Sequence, residues 1–192
     1  MSSPTLPDYL RPGLDVVFVG INPGAYSASV GKYFATPQNR FWPALNRSEI
    51  VDAGRDLGPG DEAWLGELGL GFTDVVKRAS NSASSLRAAD FRRWVPVAQG
   101  KLAEAAPLVV CFNGLTGFKW FMQYAPHSQD APSHNKTGAK TKVELGEQPD
   151  LLGTSRVFVA PNPSSANAVY SLEAIAGWYR RLGELRDEIK RG

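Results

Sequence analysis

Short apolar runs separated by longer amphipathic stretches set the pattern of this chain. Three runs have strand length and are rich in β-branched or aromatic residues, at 16–19, 108–112 and 156–160, and a further extended segment is predicted over 69–76. A continuous apolar run without polar alternation is typical of an interior strand of a parallel sheet. Because helical stretches separate these strands, the pattern predicts an α/β fold, a three-layer α/β/α sandwich around a parallel sheet.

The stretches between the strands carry the apolar spacing of helices. Helices are predicted over 39–46, 62–68, from 86 or 88 to 106, over 115–124 and over 171–190, whereas 25–38 reads as a loop. Pro96 falls inside the third helix, where it either restarts or kinks it. The segment 125–150 is rich in loop-forming residues and is predicted to be a solvated connection, with a hairpin around 142–145 as one option. Residues 1–192 are predicted to form one domain, with 1–11 as a flexible lead-in.

The turn that follows the first strand presents a single polar side chain, Asn22. Its sequence is Gly20-Ile21-Asn22-Pro23-Gly24, in which Pro23 fixes its own φ and biases Asn22 towards an extended conformation. The flanking glycines permit close approach of a ligand to the backbone. Open α/β sheets build their sites at such strand ends, although a local Asx-type bond is the simpler explanation of an asparagine in a turn.

Five motifs together resemble the mismatch-specific uracil and thymine DNA glycosylases. They are Gly20-Ile21-Asn22-Pro23-Gly24, Phe34-Ala35 with Pro37 and Asn39-Arg40-Phe41-Trp42, Gly71-Phe72-Thr73, Phe112-Asn113-Gly114, and Pro161-Asn162-Pro163-Ser164-Ser165. They follow the family's order at similar separations, from about residue 12 to 185. The resemblance implies the uracil-DNA glycosylase fold with a short central sheet. It also implies a monofunctional base-excision repair enzyme that flips uracil out of duplex DNA, with G·U mismatches preferred, and hydrolyses its N-glycosidic bond.

The resemblance assigns roles to a first group of residues. Asn22 matches the catalytic asparagine, which can hold a water through its carbonyl oxygen while its NH2 group bonds a neighbour. Phe34 would stack on the flipped base, unless it is a core aromatic. Ser27 matches a position near the C5 edge of the base, and Ser80 a position near the reacting sugar. The base-pocket residues implied are Gly20, Ile21, Ser27, Phe34 and Ser80.

Asp74 is the position at which this chain departs from the family, because many relatives have asparagine or lysine there. A carboxylate beside the catalytic asparagine could act as a general base for water or stabilise a developing sugar cation. Alternatively, Asp74 caps the following turn or pairs with Lys77 or Arg78. The sequence leaves both roles open, and we carry Asp74 forward as a second candidate catalytic residue.

Turns at two other strand ends are predicted to hold the DNA backbone. Backbone N–H groups around Gly114 and the hydroxyls of Ser164 and Ser165 can bind phosphates that flank a flipped nucleotide. Relatives often have a lysine where this chain has Leu115, and they insert a leucine or arginine into the vacated base stack where Ala166 is too small to do so. The absence of an evident plug predicts weak product retention and tolerance of single strands. The predicted DNA-binding residues are Gly114, Asn162, Pro163, Ser164, Ser165, Ala166 and Asn167.

Composition adds weaker constraints. A formal net charge of +2 permits nucleic-acid binding without requiring it. The single cysteine, Cys111, lies in an apolar run and cannot form an internal disulfide, which indicates a reducing compartment. Without a membrane-length apolar run or a signal-peptide pattern, we expect a cytoplasmic monomer, associated with the nucleoid in a prokaryote.

Metal and cofactor chemistry is not expected. His127 and His134 lie in an irregular segment without ligand spacing, and one cysteine cannot hold a four-cysteine iron–sulfur cluster. Lys136, Lys140 and Lys142 in the same segment indicate a solvated connection, with a DNA-contacting loop as the alternative.

Two other functions stay open: a catalytically weak DNA-binding module of the same fold, and a nucleosidase that acts on free nucleosides.

Overall fold

The computed structural model describes residues 5–125 and 143–192, and its helices pack on both faces of one five-stranded sheet. The strands are β1 Val16–Gly20, β2 Leu70–Asp74, β3 Val109–Asn113, β4 Gly146–Leu152 and β5 Ser155–Ala160. Their order across the sheet is β2-β1-β3-β5-β4, and all neighbours run parallel except β4, which is antiparallel to β5. The predicted α/β fold with a central parallel sheet is confirmed.

Strand β4 corrects the prediction that the chain is a solvated connection up to residue 150. Pairing between β4 and β5 is interrupted between Gln148 and Leu151, so Pro149 and Asp150 lie in an irregularity of the strand. Proline cannot donate to a ladder and is tolerated on edge strands at such positions. The proline and the broken alternation concealed this strand in the sequence. The β4–β5 hairpin turns around Gly153, whereas the suggested hairpin around 142–145 begins outside the residues that the structure describes.

The helices are α1 Ala25–Val30, α2 Phe41–Ser48, α3 Glu62–Leu65, α4 Ala88–Ala105, α5 Leu115–Tyr124 and α6 Leu172–Arg191, with short 3-10 turns at Gly66–Leu68 and Ala83–Ser85. Helix α1 lies in a segment that was predicted to be a loop. Helix α4 continues through Pro96 without restarting. Both Pro96 and Arg92, four residues earlier, are exposed, so water can bond the carbonyl that proline leaves without a donor.

The core has two parts, one on each face of the sheet. On one face Phe18 and Phe72 pack with α2 and α6, and on the other Val17 and Phe112 pack with α4 and α5. Cys111 is fully buried in the first part, and burial raises the pKa of its free thiol. None of the helices described is long and apolar enough to cross a membrane. The three layers leave the carboxyl ends of the parallel strands as the place for a site.

Residues 5–9 correct the prediction of a flexible lead-in. Leu6 is 2% exposed, and Tyr9 exchanges two backbone hydrogen bonds with Phe72 at 2.9 and 3.1 Å. The carboxylate of Asp8 accepts a hydrogen bond from the Thr73 hydroxyl at 2.6 Å. Because β2 is the outermost strand of the sheet, its free backbone groups bind this segment.

Candidate active site

The carboxyl ends of β1, β3 and β5 surround a cavity of about 280 Å³. Its wall brings together residues from three of the predicted motifs and from the loop before α6, including Ile21, Asn113, Gly114, Pro161, Asn162, Asn167 and Tyr170. A larger cavity of about 530 Å³ lies beyond the end of α2 and is lined by residues between 46 and 57. None of the predicted site residues lines this second cavity. The motifs therefore converge at one edge of the sheet.

Asn22 is held at this edge by its amide nitrogen. The nitrogen donates to the carbonyls of Pro23 (3.0 Å) and Arg78 (2.9 Å) and to the hydroxyl oxygen of Ser80 (2.8 Å). Two carbonyls can accept hydrogen bonds but cannot donate them, so the NH2 group must face this side. The carbonyl oxygen of Asn22 has no hydrogen-bond partner in residues 5–125 and 143–192, which leaves it free to hold a water.

Ser80 reaches Asn22 because the pairing of β1 with β2 continues beyond both strands. The amide of Val75 donates to the Gly20 carbonyl at 2.8 Å. Further on, Ser80 donates to the Pro23 carbonyl and accepts from the Ala25 amide, both at 3.0 Å. These backbone hydrogen bonds fix the position of Ser80 beside Asn22. The predicted location of Ser80 near the reacting sugar stays a prediction.

Asp74 lies at the end of β2, directly opposite Gly20, and is 4% exposed. A Cβ atom at position 20 would stand 2.4 Å from the Asp74 Oδ1 atom, so only glycine fits opposite this carboxyl group. Oδ2 lies 3.9 Å from the Lys77 ammonium and has no hydrogen-bond partner among the residues described. Burial raises the pKa of Asp74 to about 7, although the Lys77 charge and the Tyr33 hydroxyl act to lower it.

This geometry favours the structural role of Asp74 over the general-base role. The hydrogen bonds of Asn22 go to Pro23, Arg78 and Ser80, so the two candidate catalytic side chains are not joined. Oδ2 is closed to solvent, and a general base must reach the proton that it removes. Asp74 instead packs against Gly20 at the end of β2, with its carboxylate beside the Lys77 ammonium.

Phe34 occupies a strained backbone conformation. Its φ is +52°, in the left-handed region, which is unusual for a bulky residue and is found mostly where surrounding structure enforces it. One face of its ring stacks on Phe41, with centroids 4.0 Å apart and planes at 17°. The side chain is only partly buried, as expected if the other face receives a flipped base.

Hydrogen bonds on both sides of Phe34 hold this conformation. The amide of Tyr33 donates to Glu62 Oε1 at 2.7 Å, and the indole of Trp42 donates to the Tyr33 carbonyl at 2.9 Å. The hydroxyl oxygen of Ser27 accepts from the amide that follows Phe34 at 3.1 Å. Glu62 is 1% exposed, and burial raises the pKa of its carboxyl group. The sequence gives no sign of this role of Glu62, because only the folded chain brings it to Tyr33.

The turn after β5 lies against the turn after β3. A Cβ atom at Gly114, whose φ is +118°, would stand 3.1 Å from the Asn162 Cβ atom. Asn162 Oδ1 accepts from the Ser164 amide at 2.9 Å, and Asn167 Nδ2 donates to the Asn162 carbonyl at 3.0 Å. The Ser164 hydroxyl oxygen accepts from the Ala166 amide at 3.3 Å, which leaves its proton free to donate to a phosphate.

Arg40 ties this turn to the start of α2. Its guanidinium donates to the carbonyls of Ser164 (2.7 Å), Asn167 (2.5 Å) and Tyr170, and its backbone amide donates to the Pro163 carbonyl at 3.0 Å. Arg40 belongs to the Asn39-Arg40-Phe41-Trp42 motif, but the sequence does not indicate a function for its side chain. Its partners are backbone carbonyls more than 120 residues away, which no side-chain pattern reveals.

Replacing Arg40 with alanine is expected to lower the free energy of unfolding by about 2–4 kcal/mol, because it removes several hydrogen bonds from a charged donor. Arg47 provides a matched control, since it is exposed on the same helix. Its alanine variant should stay within about 0.5 kcal/mol of wild type. Urea denaturation measures both values. Equal stability of the two variants would contradict the stabilising role of the hydrogen bonds from Arg40 to the turn after β5.

A donor in the cavity lacks a partner. Asn113 is 6% exposed, and its Oδ1 accepts from the Tyr179 hydroxyl at 3.0 Å, whereas its Nδ2 has no partner in the described part of the chain. The first amides of α5 border the same cavity, next to Gly114. Helix amino termini and free N–H groups attract anions, so this wall suits a phosphate group.

Residues 5–125 and 143–192 contain no group of three or more His, Cys, Asp and Glu that could hold a metal ion. His127, His134, Lys136, Lys140 and Lys142 lie outside the residues that the structure describes. The predictions for the irregular segment therefore stay predictions.

The fold and the site together define an α/β protein with a cavity at the carboxyl ends of its parallel strands and an asparagine amide held by three hydrogen bonds in the turn after the first strand. The family model of the uracil DNA glycosylase superfamily matches residues 7–183, and the chain belongs to this superfamily.

Relatives agree with this assignment. The chain is 32% identical over 168 residues to the G/U mismatch-specific uracil DNA glycosylase of Schizosaccharomyces pombe. That match covers 88% of the chain and 49% of the relative, so the chain spans about half the length of this curated protein. The solution NMR structure of a candidate uracil DNA glycosylase from Methanosarcina acetivorans superposes with a TM-score of 0.57 over 99% of both chains at 17% identity, which shows the shared fold.

Proposed function

We propose that the protein is a monofunctional DNA glycosylase that excises uracil in base excision repair, with G·U mismatches as the preferred duplex substrate. One observation carries the proposal: the NH2 group of Asn22 is bound by three acceptors, and its carbonyl oxygen is left free at the strand end. Membership of the superfamily and similarity to a G/U mismatch-specific enzyme support the choice of base.

In the proposed reaction, Asn22 positions a water for attack on the anomeric carbon of a flipped deoxyuridine. The glycosidic bond breaks as the sugar gains oxocarbenium character, and its electron pair leaves with the uracil. The water oxygen then bonds to the anomeric carbon and releases a proton to solvent. An amide does not ionise near neutral pH, so Asn22 acts by positioning rather than by removing that proton. The face of Phe34 opposite Phe41 receives the base.

The DNA backbone would be held mainly by neutral donors. Asn113 Nδ2, the first amides of α5 and the hydroxyls of Ser164 and Ser165 line or flank the cleft. Such groups bind phosphates flanking a flipped nucleotide without many lysines, which fits a net charge of only +2.

We also propose that the protein acts as a cytoplasmic monomer, since its buried, unpaired Cys111 suits a reducing compartment.

Single-turnover cleavage of labelled oligonucleotides tests the proposal. The substrates are G·U, A·U and G·T duplexes, a single strand with one uracil, and free uridine. We expect uracil release from G·U to be faster than from A·U by roughly tenfold, because flipping costs less at a mismatch. Release from uridine alone would instead indicate a nucleosidase, and binding of G·U without release would indicate a DNA-binding module.

A further inference from the structure

Lys77 connects three segments of the chain through one buried ammonium group. This group donates hydrogen bonds to the Leu6 carbonyl at 3.2 Å and to the Tyr33 hydroxyl at 3.3 Å, and it forms an ion pair with Asp8. The Lys77 side chain is 10% exposed, and lysines are seldom buried to this extent unless they are paired. Because Lys77 follows β2 in the chain, its ammonium joins the stretch after this strand to the amino-terminal segment and to the loop that contains Tyr33.

Asp8 holds the Lys77 ammonium in place from the amino-terminal segment. Its carboxylate also accepts hydrogen bonds from the Thr73 hydroxyl and from the Lys101 ammonium, both at 2.6 Å. Burial acts to raise the pKa of Asp8, but the hydrogen bonds from Lys101, Lys77 and Thr73 lower it below its ordinary value. Asp8 is therefore ionised at neutral pH, and its charge offsets that of Lys77 where little water reaches either group.

The Tyr33 side chain is fixed on several sides, next to Phe34, which is the proposed platform for the flipped base. Its hydroxyl donates to the Pro7 carbonyl at 3.0 Å while it accepts from the ammonium described above. Its ring packs against Phe72 and Tyr9, with centroids 5.6 and 6.1 Å away, and lies 6.0 Å from the ring of Phe34. Because the φ of Phe34 is strained, its conformation persists only while the surrounding contacts enforce it.

We infer that Lys77 is a positioning residue for Phe34: it holds Tyr33 against the amino-terminal segment and so keeps Phe34 in the conformation that receives the flipped base. This inference rests on the proposed function. An apolar pair of similar volume often stabilises a fold as well as a buried ion pair does. An ammonium with fixed acceptors adds direction, because its hydrogen bonds are lost when Tyr33 shifts. Without Lys77, Phe34 spends less time in the stacking geometry, and the flipped base is held less well as the glycosidic bond breaks.

A double-mutant cycle tests whether Lys77 acts through Phe34. The rate of uracil release from a G·U duplex is measured under single-turnover conditions, at a temperature where urea denaturation shows each variant to be folded. F34A should slow release by about 10- to 100-fold, because base stacking is lost. K77M should slow release by on the order of tenfold in the wild-type background but by less than about twofold in the F34A background, since the residue that it positions is absent.

K101M and Y33F distinguish the contact with Tyr33 from the charge network around Asp8. K101M is the matched control, because Lys101 also binds Asp8 but is 43% exposed and reaches it from α4, without a hydrogen bond to Tyr33 among the residues described. K101M should stay within about twofold of wild type. Y33F removes the hydroxyl that accepts from Lys77 and keeps every ion pair. Y33F should slow release by about three- to tenfold, again only when Phe34 is present, and it decides the inference if K77M does not fold.

Amide hydrogen exchange gives a readout that does not depend on turnover. The amides of Tyr33 and Ala35, on either side of Phe34, both donate to side-chain oxygens. Both should exchange faster in K77M than in wild type or K101M. Unchanged exchange, no slowing of release by K77M, or equal slowing with and without Phe34 would overturn the inference while the proposed function stands. If wild type releases uracil from no substrate, the proposed function fails, and the inference fails with it.

Discussion

Replacing Asn22 with alanine is expected to slow uracil release from a G·U duplex by about 100- to 1,000-fold, with DNA affinity nearly unchanged. The variant removes the free carbonyl oxygen that holds the water, while the phosphate-binding wall of the cleft remains. The loss should therefore fall on the rate of the chemical step rather than on binding. Single-turnover kinetics give that rate, and fluorescence anisotropy of labelled DNA gives the affinity.

Two further variants separate positioning of the water from general damage to the site. S80A removes one of the three acceptors of the Asn22 amide nitrogen and leaves both carbonyls, so a loss within about tenfold is expected. N22D keeps the size of the side chain but turns a carboxylate towards the carbonyls of Pro23 and Arg78, which cannot donate to it. N22D should be as slow as N22A. A rate for N22D near that of wild type would contradict the role of the oriented amide.

Replacing Asp74 with asparagine is expected to stabilise the protein above pH 7. Burial raises the pKa of Asp74 from 3.8 in the unfolded chain to about 7 in the folded one. Below pH 3.8 the carboxyl group is protonated in both states, and its titration then has no effect on stability. As the pH rises, the unfolded chain releases the proton first, so wild type loses stability throughout this window and the full penalty is present above pH 7. The shift of about three pKa units corresponds to about 4 kcal/mol at about 1.4 kcal/mol per unit.

Urea denaturation of wild type and D74N between pH 4.5 and pH 8 measures this difference. Asp90 is the matched control, because hydrogen bonds from Arg78 at 2.8 and 2.9 Å lower its pKa. Its contribution to stability is fully present above its unfolded pKa of 3.8 and is lost only below it, so the stability difference between D90N and wild type should be nearly constant between pH 4.5 and pH 8. Uracil release by D74N should stay within about threefold of wild type, since the Asn22 amide is bonded to Pro23, Arg78 and Ser80 rather than to Asp74. A loss as large as that of N22A would restore the general-base role.

The sequence predicted the parts of this molecule that depend on local pattern. Apolar runs without alternation marked β1, β3 and β5, and the glycine and proline around Asn22 marked a turn at a strand end. Three of the family motifs, which contain Ile21, Asn113 and Asn162, then meet in one cavity at the carboxyl edge of the sheet. Such features are readable because neighbours in the chain, or a shared strand direction, determine them.

The parts that were missed depend on contacts between distant segments. Arg40 reaches carbonyls in another loop, and any residue type there offers the same carbonyl. Glu62 supports Phe34 through the backbone of Tyr33, and nothing in the spacing of these residues indicates it. The suggestion that Asp74 acts as a base came from its residue type and from its predicted position beside Asn22. The burial of Asp74 and the hydrogen-bond partners of Asn22 required the folded chain.

Both edges of the sheet also affect how the protein behaves at high concentration. Exposed edge strands let sheets of separate molecules join, which is a common route to aggregation. On the β2 edge, Tyr9 occupies the backbone groups of Phe72, and on the β4 edge, Pro149 interrupts the row of donors. A variant that lacks residues 5–9 would expose the first edge, so the amino-terminal segment protects the solubility of the folded protein as well as its packing.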